Sequence, residues 1–389
     1  MGWKRGFVVA AALLLAAAAP GGDKWTRAWT SSNWPMPADG STTVEDVTLR
    51  SQIRVAATGT QIRLRLGNDY GTAPVKIGRA WVMAHGKKVE VTFGGSKSAA
   101  MGAGAPLVSD PIALPITAFE VIEVALYLPE KAVLNTLHDD NANPTHYSRG
   151  DTFDGKIDGV IRMGNRPFLA GIDVLGAKSR PVVVAVGDSI TDNPSCANDA
   201  PVLCRWPDVL ARRMAKAGMP QVVISQAISG NRVLAPGWGP STLARFDRDV
   251  LAIRGVTHII LLEGINDIGN SGRERNGVAN PKITAADLIA GYRQLVLRAN
   301  EHGIKVIVMT ILPFEGAQYY SPEREAIRQE VNAWIRLGQG FRVIDMDRIM
   351  GEPGAPTKLA AALQGGDNLH PDGRGHTRMG EAIDLGLFR

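Results

Sequence analysis

Two textures of hydrophobic and polar positions divide the chain. From Trp25 to about Asp151, apolar and polar side chains alternate over short runs. In Gln61-Ile62-Arg63-Leu64-Arg65-Leu66 every second side chain is apolar, and Gly67-Asn68-Asp69 then turns the chain. Similar runs recur at 47–56, 76–83, 88–93 and 120–128, separated by clusters of Gly, Pro, Asn and Asp. A period of two repeated at short intervals predicts an antiparallel β-sandwich, jelly-roll-like in its many short strands.

From about Pro181 the pattern changes. Val182-Val183-Val184-Ala185-Val186 is a continuous apolar run of the kind that suits a central parallel strand buried on both faces. Residues 206–217 then read as a helix, with Gly218 where a helix C-terminus favours glycine. Further buried strands are expected at 222–225, 257–262, 305–311 and 342–344, alternating with helices at 241–253, 285–302 and 322–337. This alternation predicts a doubly wound, flavodoxin-like α/β sheet with helices on both faces. The expected division is a leader at 1–20, a β-sandwich at 24–150, a linker at 151–180 and the α/β domain at 181–389.

The leader has its own signature. Lys4 and Arg5 precede an unbroken apolar stretch over residues 7–19, which ends in small residues before Pro20-Gly21-Gly22-Asp23. That is the layout of a secretory signal peptide, and the stretch is shorter than the ~18–20 residues of a membrane-spanning helix. An N-terminal membrane anchor is the competing reading; no cysteine follows the run to carry a lipid. The expectation is export to the periplasm or the extracellular space, without stable membrane insertion. In an oxidising compartment Cys196 and Cys204, eight positions apart, form a plausible disulfide across a surface loop.

Composition narrows the chemistry further. Hydrophobic residues make up 45% and charged residues 21% of the 389, close to globular averages, which argues against disorder. Two cysteines and seven histidines are too few for a zinc array or an iron–sulfur protein. The net charge of +5 falls by two once Lys4 and Arg5 are removed. No run of Lys and Arg interleaved with aromatics is present, so nucleic acid is not an expected partner. Nothing in the sequence points to a particular number of subunits.

Ligands of doubly wound sheets bind beyond the carboxyl ends of the strands. Four segments stand at such positions: Gly187-Asp188-Ser189-Ile190-Thr191, Ser229-Gly230-Asn231, Glu263-Gly264-Ile265-Asn266-Asp267 and Asp367-Asn368-Leu369-His370-Pro371. Ser189 on a tight turn can expose its hydroxyl above the sheet. Gly230 lets backbone come close to a ligand. Each segment also has a plainer reading: Gly230 as a turn glycine, Asn266-Asp267 as an Asx-turn, Asp367 as the N-cap of the final helix. His376, His302 and His258 are rivals to His370.

Together, and in this order, the four segments resemble the SGNH (GDSL-type) hydrolase superfamily over about residues 181–389. The resemblance implies a serine esterase with Ser189 as nucleophile, His370 as general base and Asp367 as the carboxylate that orients it, working through an acyl-enzyme with no metal and no organic cofactor. It implies an oxyanion hole of the Ser189 and Gly230 backbone N–H groups and the Asn266 side-chain amide. Asp188 and Asp267 are expected to support the loops by accepting backbone hydrogen bonds. A serine hydroxyl becomes a useful nucleophile only when a neighbouring neutral imidazole takes its proton, so hydrolysis is expected to rise with pH as His370 deprotonates.

The N-terminal half carries Trp29, Ser51-Gln52-Ile53-Arg54, Arg63-Leu64-Arg65-Leu66-Gly67-Asn68, Tyr70-Gly71 and Ser109-Asp110-Pro111. It resembles the β-sandwich preceding the catalytic domain in a subgroup of bacterial SGNH arylesterases and acylhydrolases, some associated with xylan degradation. The implied function is a secreted serine esterase releasing acyl groups, acetyl foremost, from carbohydrate. Two other readings stand beside it: a lipase or arylesterase using the same triad, and a catalytically silent carbohydrate-binding protein. The sandwich itself either stacks sugar rings on Trp25, Trp29, Trp34 or Tyr70, or packs against the catalytic domain and walls one side of its site.

Overall fold

A computed structural model describes residues 24–36, 40–139, 143–155, 161–192, 204–275 and 278–389. The leader and Cys196 lie outside the described residues, so both remain expectations here.

The five buried apolar runs of the C-terminal half form one parallel sheet. Its order is Val222–Ala227, Val182–Gly187, Val256–Leu262, Lys305–Met309 and Arg342–Ile344. In chain order this is 2-1-3-4-5, the flavodoxin-like winding expected from the sequence. Every residue of Val182–Gly187 is buried, so both faces of this strand are covered. The helices Trp206–Lys216 and Ala285–Glu301 pack against the sheet. Ala285–Glu301 starts with a capping box, in which Thr284 accepts from the Asp287 N–H and the Asp287 carboxylate accepts from Thr284.

The helix expected at 241–253 is α-helical only over Thr242–Phe246. It opens into a wider π-type turn over Asp247–Leu251. This stretch turns its polar side to the sandwich, where Arg248 donates to the Tyr70 hydroxyl at 2.6 Å and to the Asn33 carbonyl at 3.0 Å.

The N-terminal half is all β. Its four-stranded sheet runs Trp25–Thr30, Leu169–Leu175, Gln61–Gly67, Pro106–Val108, and its six-stranded sheet is centred on Val47–Arg54 and Val121–Leu128. Alternation accounts for the packing. Ile62, Leu64 and Leu66 are buried to within 1% exposure, while Arg63 and Arg65 point to the other face. Two expectations change. The run at 76–83 breaks at Gly78 into Val75–Ile77 and Arg79–Ala84, which belong to different sheets. The span expected as a linker, 151–180, holds a central strand, Leu169–Leu175. Asp173 on that strand gathers Arg27, Arg63 and Arg65 from its two neighbours at 2.6, 2.9 and 2.7 Å. One carboxylate thereby fixes the register of three strands.

Candidate active site

The nucleophile candidate is set by a close approach of backbone. Val182–Gly187 ends at Gly187, where a Cβ would lie 2.2 Å from Thr191 Oγ1 and 2.7 Å from the Leu262 carbonyl oxygen. Only glycine lets the strand turn here into the short helix Ser189–Asp192. Asp188 Oδ1 accepts the Ile190 N–H at 2.9 Å and pins the turn. Ser189 Oγ then stands 2.8 Å from His370 Nε2.

His370 is oriented from its far side. Its Nδ1 lies 2.6 Å from Asp367 Oδ2, while Asp367 Oδ1 accepts the backbone N–H groups of Leu369 at 3.0 Å and His370 at 2.8 Å. The spacing of three thus closes a compact turn. Partial burial pushes the Asp367 carboxyl up, but the bonds from the His370 ring and the two backbone N–H groups outweigh it and hold the group below its ordinary value. Asp367 is not the helix cap: Asp372 caps Gly373–Ala382, accepting from Arg374 and Gly375 N–H. Of the rival histidines, His302 is the exposed C-cap of Ala285–Glu301, and the other two are otherwise engaged. His376 is fully buried, which pushes its ring down to about 3, and accepts from the Trp206 N–H. His258 is pushed down to about 4, chiefly by burial, and bonds Thr257.

The oxyanion candidates are braced by buried polar bonds. Gly230 has φ +75°, and a Cβ there would meet the Trp238 ring at 2.4 Å, so both backbone and packing require glycine. Asn231 is fully buried with its side chain saturated: it donates to the Trp238 and Pro240 carbonyls and accepts from Thr242 and Arg245. Its own carbonyl accepts from Asn266 Nδ2 at 3.0 Å. The second amide hydrogen of Asn266 reaches only a long contact, 3.3 Å, to Asp188 Oδ2, and Asn266 borders the cavity above Ser189. Replacing Asn266 by Ala is expected to lower kcat by about 10²–10³-fold with KM little changed, measured on a simple aryl acetate.

Beneath these loops lies a group of buried carboxyls. Asp267 accepts the Val233 and Leu234 N–H groups at 2.8 and 2.9 Å. Burial nevertheless pushes Asp267 up to about 6 and Asp188 up to about 7. Burial, reinforced by neighbouring Asp188, raises Glu263 well above the usual carboxyl range.

Ser189, Gly230, Asn266, Asp367 and His370 all line one cavity of about 690 Å³. The structure therefore gathers every sequence-singled catalytic and oxyanion residue at one place. Other residues also form the wall: Asp139 from the sandwich, which sequence reasoning missed, and Trp238 and Tyr319 from the loops at 235–242 and 316–322, where length and composition suit a pocket rim. The sandwich aromatics singled out earlier are engaged elsewhere. Trp34 is buried, Trp25 and Trp29 lie under Arg63 and Arg166, and Tyr70 holds Arg248.

The chain is similar to several solved structures. An acetylxylan esterase from Geobacillus stearothermophilus is 22% identical, with a TM-score of 0.41, over 52% of this chain and 91% of that one. A GDSL-like lipase from Bacteroides thetaiotaomicron is 18% identical, with a TM-score of 0.39, over 53% and 87%. No curated protein sequence matches the chain. The GDSL-like lipase/acylhydrolase family model matches residues 185–378, which begin inside the strand leading to Ser189 and end beyond His370. Through residues 185–378 the chain thus belongs to the GDSL-like lipase/acylhydrolase family and is a hydrolytic esterase.

Proposed function

We propose that the chain is a secreted esterase that removes acetyl groups from carbohydrate through an acyl-enzyme on Ser189. The observation that carries the reading is the unbroken chain Ser189–His370–Asp367 opening on the cavity. Ser189 Oγ attacks the ester carbonyl carbon while His370 Nε2 takes its proton, and Asp367 steadies the imidazolium that forms. The carbonyl oxygen becomes an oxyanion, met by the Ser189 and Gly230 N–H groups and the Asn266 amide. The C–O bond to the alcohol breaks as His370 returns its proton to that oxygen. Water, deprotonated by His370, then attacks the acyl-serine, releasing the carboxylic acid and restoring Ser189.

Carbohydrate deacetylation is supported by the aromatic side chains Trp238 and Tyr319 on the cavity wall and by the sequence resemblance of the N-terminal half. Export is supported by the Lys4-Arg5 pair and the apolar run of residues 7–19, and an oxidising destination in turn supports pairing of Cys196 with Cys204. The test is the acyl chain-length profile on aryl esters, run beside acetate release from acetylated plant polysaccharides. A steep fall in kcat/KM beyond acetyl, with acetate released from polysaccharide, is expected. Preference for long acyl chains would assign the protein to lipid esters instead.

A further inference from the structure

We infer that the β-sandwich completes the substrate site, with Asp139 selecting neutral, hydroxyl-rich alcohols over anionic ones; this rests on Ser189 being the esterase nucleophile. Asp139 ends the sandwich strand Thr136–Asp139 and lines the cavity that holds Ser189, Asn266 and His370. Nothing in the catalytic domain's own sequence announces it.

The strand is fixed to both sides of the catalytic centre. His138, the residue before, is buried: its Nδ1 meets the Ser32 carbonyl at 3.0 Å and its Nε2 lies 3.3 Å from Asp192 Oδ2. Asp192 is the last residue of the helix that begins at Ser189, and it also accepts from the Ser229 hydroxyl, next to Gly230, at 3.4 Å. A second tie is apolar. Trp34 and Leu137 of the sandwich pack with Ile228, just ahead of Ser229-Gly230. The Trp34 ring meets Trp238 edge-on at 5.5 Å and 84°. Side chains alternate along a strand, so His138 turned inward accompanies Asp139 turned to the cavity.

The chemistry of the wall follows. Its lining includes three carboxylates, Asp139, Asp367 and Asp372, and among the described lining residues no Lys or Arg. Asp367 is occupied with His370, and Asp372 caps a helix and bridges Arg374. A carboxylate has about four acceptor positions, so partners already held by Asp139 leave capacity for a substrate hydroxyl. The same charge repels a carboxylate or phosphate brought into the cleft. Trp238, 40% exposed on the same wall, offers an apolar face to a sugar ring.

The experiment uses the full chain and two substrates that differ in one group, an acetylated methyl glucoside and the matching methyl glucuronoside. The parent is expected to favour the neutral ester in kcat/KM by about tenfold or more. Asp139→Asn should narrow that ratio by about threefold or more, and Asp139→Lys should narrow it further or invert it. Fluorophosphonate titration of Ser189 counts competent sites in each variant, so a misfolded fraction does not enter the ratio. An unchanged ratio in both variants overturns the role of Asp139 while leaving the esterase reading intact. Parent hydrolysis that survives Ser189→Ala overturns the esterase reading and the inference with it.

Discussion

Ser189→Ala is expected to fold like the parent and to lose ester hydrolysis by roughly 10⁴–10⁶-fold in kcat. Ser189 Oγ is the atom that would carry the acyl group, and the 2.8 Å contact to His370 is its route for losing a proton. Without that oxygen the oxyanion donors still surround the cavity but have no covalent intermediate to stabilise. The hydroxyl sits at the cavity wall rather than in the core, so the melting temperature should move by no more than a few degrees. Turnover of an aryl acetate, thermal melting and mass analysis of fluorophosphonate-treated parent together check this. A labelled peptide built around another serine, or hydrolysis near parent rates in the variant, would overturn the assignment.

The second large effect falls on stability. Arg245 is almost wholly buried, and its guanidinium donates to Asp249 at 3.1 Å, to the Asn231 side chain at 2.9 Å, to the Gln226 carbonyl at 2.6 Å and to Ser32 of the sandwich at 3.2 Å. Arg245→Ala leaves Asp249 short of one of its two cations, the other being Arg248. Breaking such a buried pair costs about 3–5 kcal/mol, a large share of an ordinary domain's ~5–15 kcal/mol. The pH dependence has a definite sign. Burial raises Asp249, but Arg248 and Arg245 outweigh it, and its folded value lies below the ordinary one. Its pairing therefore stabilises above the unfolded pKa and is lost as pH falls through the folded one. The gap between parent and variant in denaturant midpoint should be widest near neutrality and narrow in acid. Activity should fall as well, because Arg245 holds Asn231 and Asn231 holds Asn266. A loss under about 1 kcal/mol, or one that ignores pH, would show that the hub does not act as described.

What could be read from sequence was the part written locally. Val182–Gly187 is apolar without interruption, and Asp367 and His370 are three apart, so strand and turn both announce themselves in a few residues. Leu169–Leu175 went unread because its partners, Trp25–Thr30 and Gln61–Gly67, lie more than a hundred residues earlier. Its apolar run between Pro167 and Gly176, interrupted only by Gly171 and Asp173, was a usable signal. The break at Gly78 was hidden because pairing with two different sheets leaves no mark on the period. Asp139 left no signal of its own, being a polar residue beside a loop that is brought to the site through contacts such as His138–Asp192. Trp238 stands in a loop of glycines and prolines that suits a pocket rim, but its contact with Trp34 of the sandwich is not written locally.

The place of Asp367 and His370 after all five parallel strands has a consequence in time. Domains fold as units while synthesis proceeds from the N-terminus. The sandwich, the five parallel strands and the serine turn are all made before the segment that bears the base. Until that segment docks, with Gly373–Ala382 packed on Trp206–Lys216, the emerging chain holds a serine with no group to take its proton. Hydrolytic competence therefore waits on this segment, and a chain clipped before Asp367 stays chemically silent however well the preceding part has folded.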